Sequence, residues 1–186
     1  MTVMIELIPH TAKWKNKFNQ LKEFLLSLPN TFFMEVDHIG STAIEKAPAK
    51  DIVDVQCAIA SFEHIDQVRT VLEPIGFVCI EDFNQDHVPF QEHDYFLSGW
   101  EKRFFTGTYA NQSFNIHIRL KNSLNWQFAQ QFRDFMITHN DARYAYMQFK
   151  ERLASSGVDR HTYCVIKDSV IDLLSLQFFK PDKSKN

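Results

Sequence analysis

The residues Ile52 to Ile59 constrain the fold of this chain most: they read Ile-Val-Asp-Val-Gln-Cys-Ala-Ile. In a strand, alternate residues point to opposite faces. Val53, Val55, Cys57 and Ile59 then make a wholly apolar face, while Ile52, Asp54, Gln56 and Ala58 make the other. An acid in the middle of such a strand is costly unless its face meets solvent or a site. Upstream, the apolar run Phe32 to Ile39 ends at Gly40-Ser41, and a loop of small and polar residues follows. Two strands joined by a Gly-Ser loop, with one apolar and one acid-bearing face, predict a sheet packed on one side, with solvent or a site on the other.

The remaining pattern supplies the helices and further strands. Trp14, Phe18, Leu21, Leu25 and Leu28 recur at helical spacing after a Thr11 cap, and Pro29-Asn30 stops that helix. Val3 to Ile8 reads as a short strand or extended arm. Ser61 caps a helix to about Glu73, and Phe77 to Ile80 is a short strand. Glu81 to Glu92 is a polar loop near the site. His93 to Leu97 and Arg103 to Tyr109 read as paired strands. Phe114 to Leu120 alternates cleanly, with Asn115, His117 and Arg119 on its polar face. Helices follow from Asn122 or Ser123, from Asp141 to Ala154 and from Asp159 to Phe179, and Lys180 to Asn186 is a frayed tail.

No linker or repeat divides the 186 residues, so one domain over residues 1–186 is expected. The fold class is α+β: a mixed sheet with helices packed on one face and an open cleft on the other. Eighteen Phe residues point to an aromatic core. A net charge of -3 gives no general attraction for nucleic acid, which makes that partner unexpected. Cys57, Cys79 and Cys164 are widely spaced in apolar patterns and read as small buried thiols. Together with an N-terminus that lacks a basic stretch before an apolar core, they suggest a reducing, cytoplasmic setting without a membrane.

Gly40-Ser41, a spacer of about a dozen residues and then Asp54 resembles the signature of the polymerase-beta-like nucleotidyltransferase superfamily. The wording His38-Ile39-Gly40-Ser41-Thr42-Ala43 and Lys50-x-x-x-Asp54 is similar, more narrowly, to the GrpB family. Phe132-Arg133-Asp134-Phe135, Tyr146-x-x-x-Lys150-x-x-Leu153-Ala154 and Asp159-x-x-x-Tyr163-x-x-x-Lys167 continue that resemblance. It implies a nucleotidyltransferase-like fold whose open sheet face holds a nucleotide or another phosphorylated small molecule. Some family members are fused to dephospho-coenzyme A kinase.

In the superfamily, acids two apart on one strand and a third on a neighbour hold Mg²⁺ against a triphosphate. Here Asp54 matches the first acid, Gln56 stands at the second, and Asn115, His117 and Arg119 offer no third. Asp54, Gln56 and His117 are the catalytic candidates. Asp54 with His117 and His38 is the candidate set for one divalent metal, Mg²⁺ or, if a histidine contributes, Mn²⁺. The plainer alternative is a polar network of Asp54 and His117. Gly40, Ser41, Lys50, Arg103, Arg119, Lys150 and Lys167 are the candidate phosphate-binding residues, and solvated helix faces are the alternative for Lys150 and Lys167. Two functions remain open: a ligand-binding protein with a degenerate catalytic centre, and an active nucleotidyltransferase.

Overall fold

The computed structural model describes residues 5–28, 32–89 and 99–179. Helix α1 (Ala12–Ser27) precedes strand β1 (Glu35–Ile39), and β2 (Ile52–Ile59) leads to α2 (Ile65–Leu72). Strands β3 (Phe77–Cys79), β4 (Arg103–Tyr109) and β5 (Gln112–Leu120) follow, and helices α3 (Leu124–Thr138), α4 (Asn140–Ser155) and α5 (Arg160–Ser175) complete the order. The five strands form one mixed sheet in the order β1-β2-β5-β4-β3. Only β2 and β5 run parallel; the other neighbours are antiparallel. The fold is thus α+β with an open mixed sheet.

Register follows the alternation in the sequence. Val53, Val55 and Cys57 lie opposite Phe114, Ile116 and Ile118, whereas Asp54, Gln56 and Ala58 lie opposite Asn115, His117 and Arg119. A slip of one residue would turn every apolar side chain to the wrong face, so the pattern fixes the pairing. The apolar face receives Trp14, Phe18, Leu21 and Leu25 of α1 and Val68 and Leu72 of α2, all buried. Thr11 caps α1 by accepting from the Lys13 amide, and Trp14 donates its indole N–H to Asp51 at 2.8 Å. Asp51 thereby pins α1 to the start of β2, on the side away from Asp54.

The polar face is not wholly open. Helices α3, α4 and α5 cover part of it, through a second cluster in which Ile44 and Ala47 meet Phe132, Met136 and Tyr146. The expectation of helices on one face only is corrected accordingly. The apolar stripes of α3 to α5 need a surface to bury, and the loop after Gly40 supplies apolar side chains on that side. Helix α5 ends at Ser175, earlier than the expected Phe179, and the 62–64 segment before α2 is a 3-10 turn. Of the expected strand or arm from Val3 to Ile8, Val3 and Met4 lie outside the described residues, and Ile8 forms an isolated bridge to Ala49. The expected strand His93 to Leu97 and the tail from Lys180 lie outside the described residues. Among the described residues no helix is long and apolar enough to cross a membrane.

Candidate functional site

The centre of the polar face is Asp54. Gly40 turns the chain beside it with φ +68, and an added Cβ there would lie 2.6 Å from Asp54 Oδ2. Only glycine allows this backbone conformation and this close approach together. Asn115 Nδ2 donates to Asp54 Oδ1 at 2.9 Å, and His117 Nε2 lies 3.9 Å from the same oxygen. Burial pushes the Asp54 carboxyl up, but His117, Asn115 and Lys167 outweigh it and hold the group ionised below the usual carboxylate range. Burial, aided by Arg119 and Lys102, lowers the His117 ring, while Asp54 opposes the shift.

On one side of Asp54 lies a cavity of about 210 Å³ whose wall includes Ser41, Lys50, Lys150, Arg160, Tyr163 and Lys167. Lys150 is 3% exposed. Its Nζ donates to Ser41 Oγ at 2.8 Å and to Pro48 O at 2.6 Å. No carboxylate lies within 4.0 Å of it among the described residues. Burial lowers its pKa to about 8, with Lys167 and Lys50 adding to the shift and Asp54 opposing it. Burial likewise lowers Lys50, whose Nζ stands 4.9 Å from the Tyr163 ring centroid. The buried Tyr163 hydroxyl has no hydrogen-bond partner among the described residues. Arg160 joins the site without a motif of its own; its only sequence signal is its place one turn before Cys164, on the side of α5 that carries Tyr163 and Lys167.

On the other side a polar clamp fills the face. Asp86 pairs with Lys102 at 2.8 Å and with Arg119 at 2.8 Å, and it accepts from Asn125 Nδ2 at 2.9 Å. Arg119 also donates to Gln56 Oε1 at 2.6 Å, and Gln56 is fully buried. Burial raises the Asp86 carboxyl, but Arg119 and Lys102 hold it far below the usual range. Asp86 sits in the polar loop after β3, where no periodicity marks it. Between the clamp and Asp54 is a second space of about 270 Å³ that Lys167 also borders.

Two candidates fall elsewhere. His38 lies opposite Val55, on the apolar face, where its ring stacks on Phe18 with centroids 4.8 Å apart. It therefore cannot join Asp54 and His117 around one ion. Arg103 lies opposite Ile118, also on the apolar face, and its guanidinium covers the Phe62 ring at 4.5 Å. Its neighbour Lys102 reaches the polar face instead. With His38 across the sheet and the Gln56 oxygen held by Arg119, the residues present do not fit a two-ion centre. Among the described residues, no three His, Cys, Asp or Glu side chains are grouped to hold a metal. The chemistry this arrangement offers is a cationic pocket against one carboxylate.

Comparison with known proteins agrees with this architecture. The chain is 28% identical over 155 residues to the dephospho-CoA kinase of Mycobacterium tuberculosis (strain ATCC 25618 / H37Rv), a match covering 77% of this chain and 38% of that protein. It therefore spans well under half the length of that relative. It is 22% identical over 168 residues to the glutamate-rich protein GrpB of Alkalihalophilus pseudofirmus, covering 89% of this chain and 91% of that one. The crystal structure of the conserved protein GrpB from Enterococcus faecalis shares the fold, with a TM-score of 0.75 at 21% identity over 92% of this chain and 96% of that chain. The family model described as GrpB protein matches residues 4–175, and the chain belongs to the GrpB family.

Proposed function

We propose that this GrpB protein binds a nucleotide or another phosphorylated small molecule in the cavity beside Asp54, and that its catalytic centre is degenerate. The observation that carries this reading is Lys150: a buried ammonium that donates to Ser41 and Pro48 with no carboxylate in ion-pair range among the described residues. A buried charge without a counterion is costly, and an anion entering the cavity removes that cost. Lys50, Arg160 and Lys167 line the same space and match the charge of a phosphate chain. Ser41, at the turn after Gly40, borders the same space with its hydroxyl held by Lys150. The resemblance of part of the mycobacterial dephospho-CoA kinases makes dephospho-CoA a ligand to test beside ATP.

The test is calorimetric titration of ATP and dephospho-CoA into wild type and Lys50→Ala. Loss of one charge-assisted contact costs roughly 1.5–3 kcal/mol, on the order of a tenfold to hundredfold weakening. Equal affinity in the variant moves the anion site elsewhere. Nucleotidyl transfer to a small acceptor is the second reading, favoured by the ionised Asp54 carboxylate facing the cavity. Turnover of labelled NTP is expected near background with Mg²⁺, because one carboxylate positions a triphosphate poorly for a reaction that depends on alignment. Robust turnover abolished by Asp54→Ala selects the second reading.

A further inference from the structure

A larger cavity, of about 580 Å³, opens on the other side of the Gly40-Ser41-Thr42 turn, at the free edge of β1. Lys15 of α1, Lys46 of the loop, Arg133 of α3 and Arg143 of α4 line it, against Glu45 as the one lining carboxylate among the described residues. These cations come from four separate elements, so the fold, and no single charged helix face, brings them together. Both guanidiniums are held in place by backbone carbonyls: Arg133 donates to His38 O at 3.0 Å, and Arg143 to Met136 O at 3.2 Å and Ile137 O at 3.1 Å. Arg133 is further engaged by Asp134, whereas Arg143 has no carboxylate in ion-pair range among the described residues. Among the described residues Lys15 and Lys46 have none either.

Lys46 adds a second, independent observation. Its φ is +67, a left-handed conformation that a residue with a side chain adopts at a cost. Glycine would relieve that cost, yet the position carries an amine at the cavity wall. His38 reports the same field. Burial lowers its ring to about 4, and Arg133, His10 and Lys15 push in the same direction while Asp54 opposes. The imidazole is neutral, hydrogen-bonded to Thr42 Oγ1 at 2.9 Å, and adds no charge to be neutralised.

We propose that this cavity is a second anion site, which takes a compact polyanion carrying two or more phosphate or carboxylate groups. The two guanidiniums, fixed by bonds to His38 O, Asp134, Met136 O, Ile137 O and Asn140 Oδ1, supply positive charge and their remaining N–H groups, and the two exposed lysines add point charges. The volume exceeds that of the space beside Asp54 and suits a ligand larger than one phosphate. The site shares only Thr42 with the Asp54 cavity and stands whether or not that cavity binds a nucleotide.

The experiment titrates inorganic diphosphate and, separately, citrate into ¹⁵N-labelled full-length protein. Amide shifts of Glu45, Lys46 and Arg143 report this cavity, and those of Arg160 and Lys167 report the one beside Asp54. Saturable shifts are expected at the first set, and the stronger of the two probes identifies phosphate or carboxylate recognition. The Lys15→Ala/Lys46→Gly double variant removes two charges at exposed positions and relieves the left-handed backbone, so the fold is retained. It is expected to weaken the first-set curve at least tenfold and leave the second-set curve unchanged, while Lys50→Ala does the reverse. Absence of saturable shifts at Glu45, Lys46 and Arg143 with both probes overturns the proposal. So does a first-set curve that the double variant leaves unaltered.

Discussion

Arg119 donates to the amide oxygen of Gln56 at 2.6 Å, beneath helix α3 and outside the wall of the cavity that Lys150 lines. The position at which the sequence resemblance called for a second acid is therefore tied into packing here. Gln56 Nε2 also lies 3.4 Å from Asp37 Oδ2, so a carboxylate at this position meets a like charge. Gln56→Asp shortens the side chain, withdraws the acceptor from Arg119 and buries that charge. It is expected to destabilise the fold by about 1–3 kcal/mol, read as a lower urea midpoint, without creating a Mn²⁺ site. A variant of wild-type stability that binds Mn²⁺ would show that Arg119 releases the position.

Asp86 is the anchor of the clamp. Asp86→Asn leaves Arg119 and Lys102, 5% and 7% exposed, without their counter-charge. Breaking a buried pair by removing one partner costs about 3–5 kcal/mol. Because the folded carboxyl titrates below its unfolded value, its contribution is complete above the ordinary carboxylate range and is lost as pH falls through the folded value. Acid unfolding of wild type should thus be steeper than that of Asp86→Asn; parallel curves would remove Asp86 from the account.

Lys150 slopes the same way for the opposite reason, because its charged form is the one that burial penalises. Its folded pKa, about 8, lies below the unfolded value of 10.5. Between these the unfolded chain holds more protons, so stability rises with pH across that window; below about 8 the burial penalty is fully present. Lys150→Met should flatten that rise. It should also weaken nucleotide binding, and wild-type binding should decline as pH passes upward through about 8 because the anion needs the ammonium. Denaturant midpoints and titrations across that range measure both effects, and a pH-independent affinity would place Lys150 outside the ligand's reach.

Gly40→Ala tests the turn against Asp54. The new methyl group combines a left-handed backbone with a 2.6 Å approach to Asp54 Oδ2. Backbone strain of this kind costs of order 1–3 kcal/mol, and the displaced carboxylate should perturb ligand binding as well. An alanine variant with unchanged melting and affinity would mean that the turn relaxes freely.

The sheet was legible because its two central strands alternate through their middle residues. Val53, Val55, Ile116 and Ile118 fix one face, and Asp54, Gln56, His117 and Arg119 follow onto the other. Strand β4 carries no such instruction: Arg103-Phe104-Phe105-Thr106 has aromatic rings on both faces, so its face is set by pairing with β5, which puts Arg103 over Phe62 and Phe104 beside His117. His38 was misassigned for a related reason: β1 carries Glu35, Asp37 and His38 on both faces, and pairing with β2 puts His38 opposite Val55, where it packs on Phe18. Asp86 and Arg160 depend on tertiary placement of a loop and a helix start, and neither carries a local pattern. The covering of the polar face by α3 to α5 was hidden because a helical stripe states that a face is buried without stating against what.

The cavity beside Asp54 draws Ser41, Lys50 and Asp54 from the first third of the chain, and Lys150, Arg160 and Lys167 from α4 and α5. It is a seam between two parts of the polypeptide. A ligand that bridges the seam binds only while the C-terminal helices are docked, so occupancy and docking are thermodynamically linked. Hydrogen exchange should then slow in α4 and α5 when ligand is added, although the two helices contribute no strand to the sheet. In such a molecule the last third of the chain works as a clasp, and what it clasps helps to hold it shut.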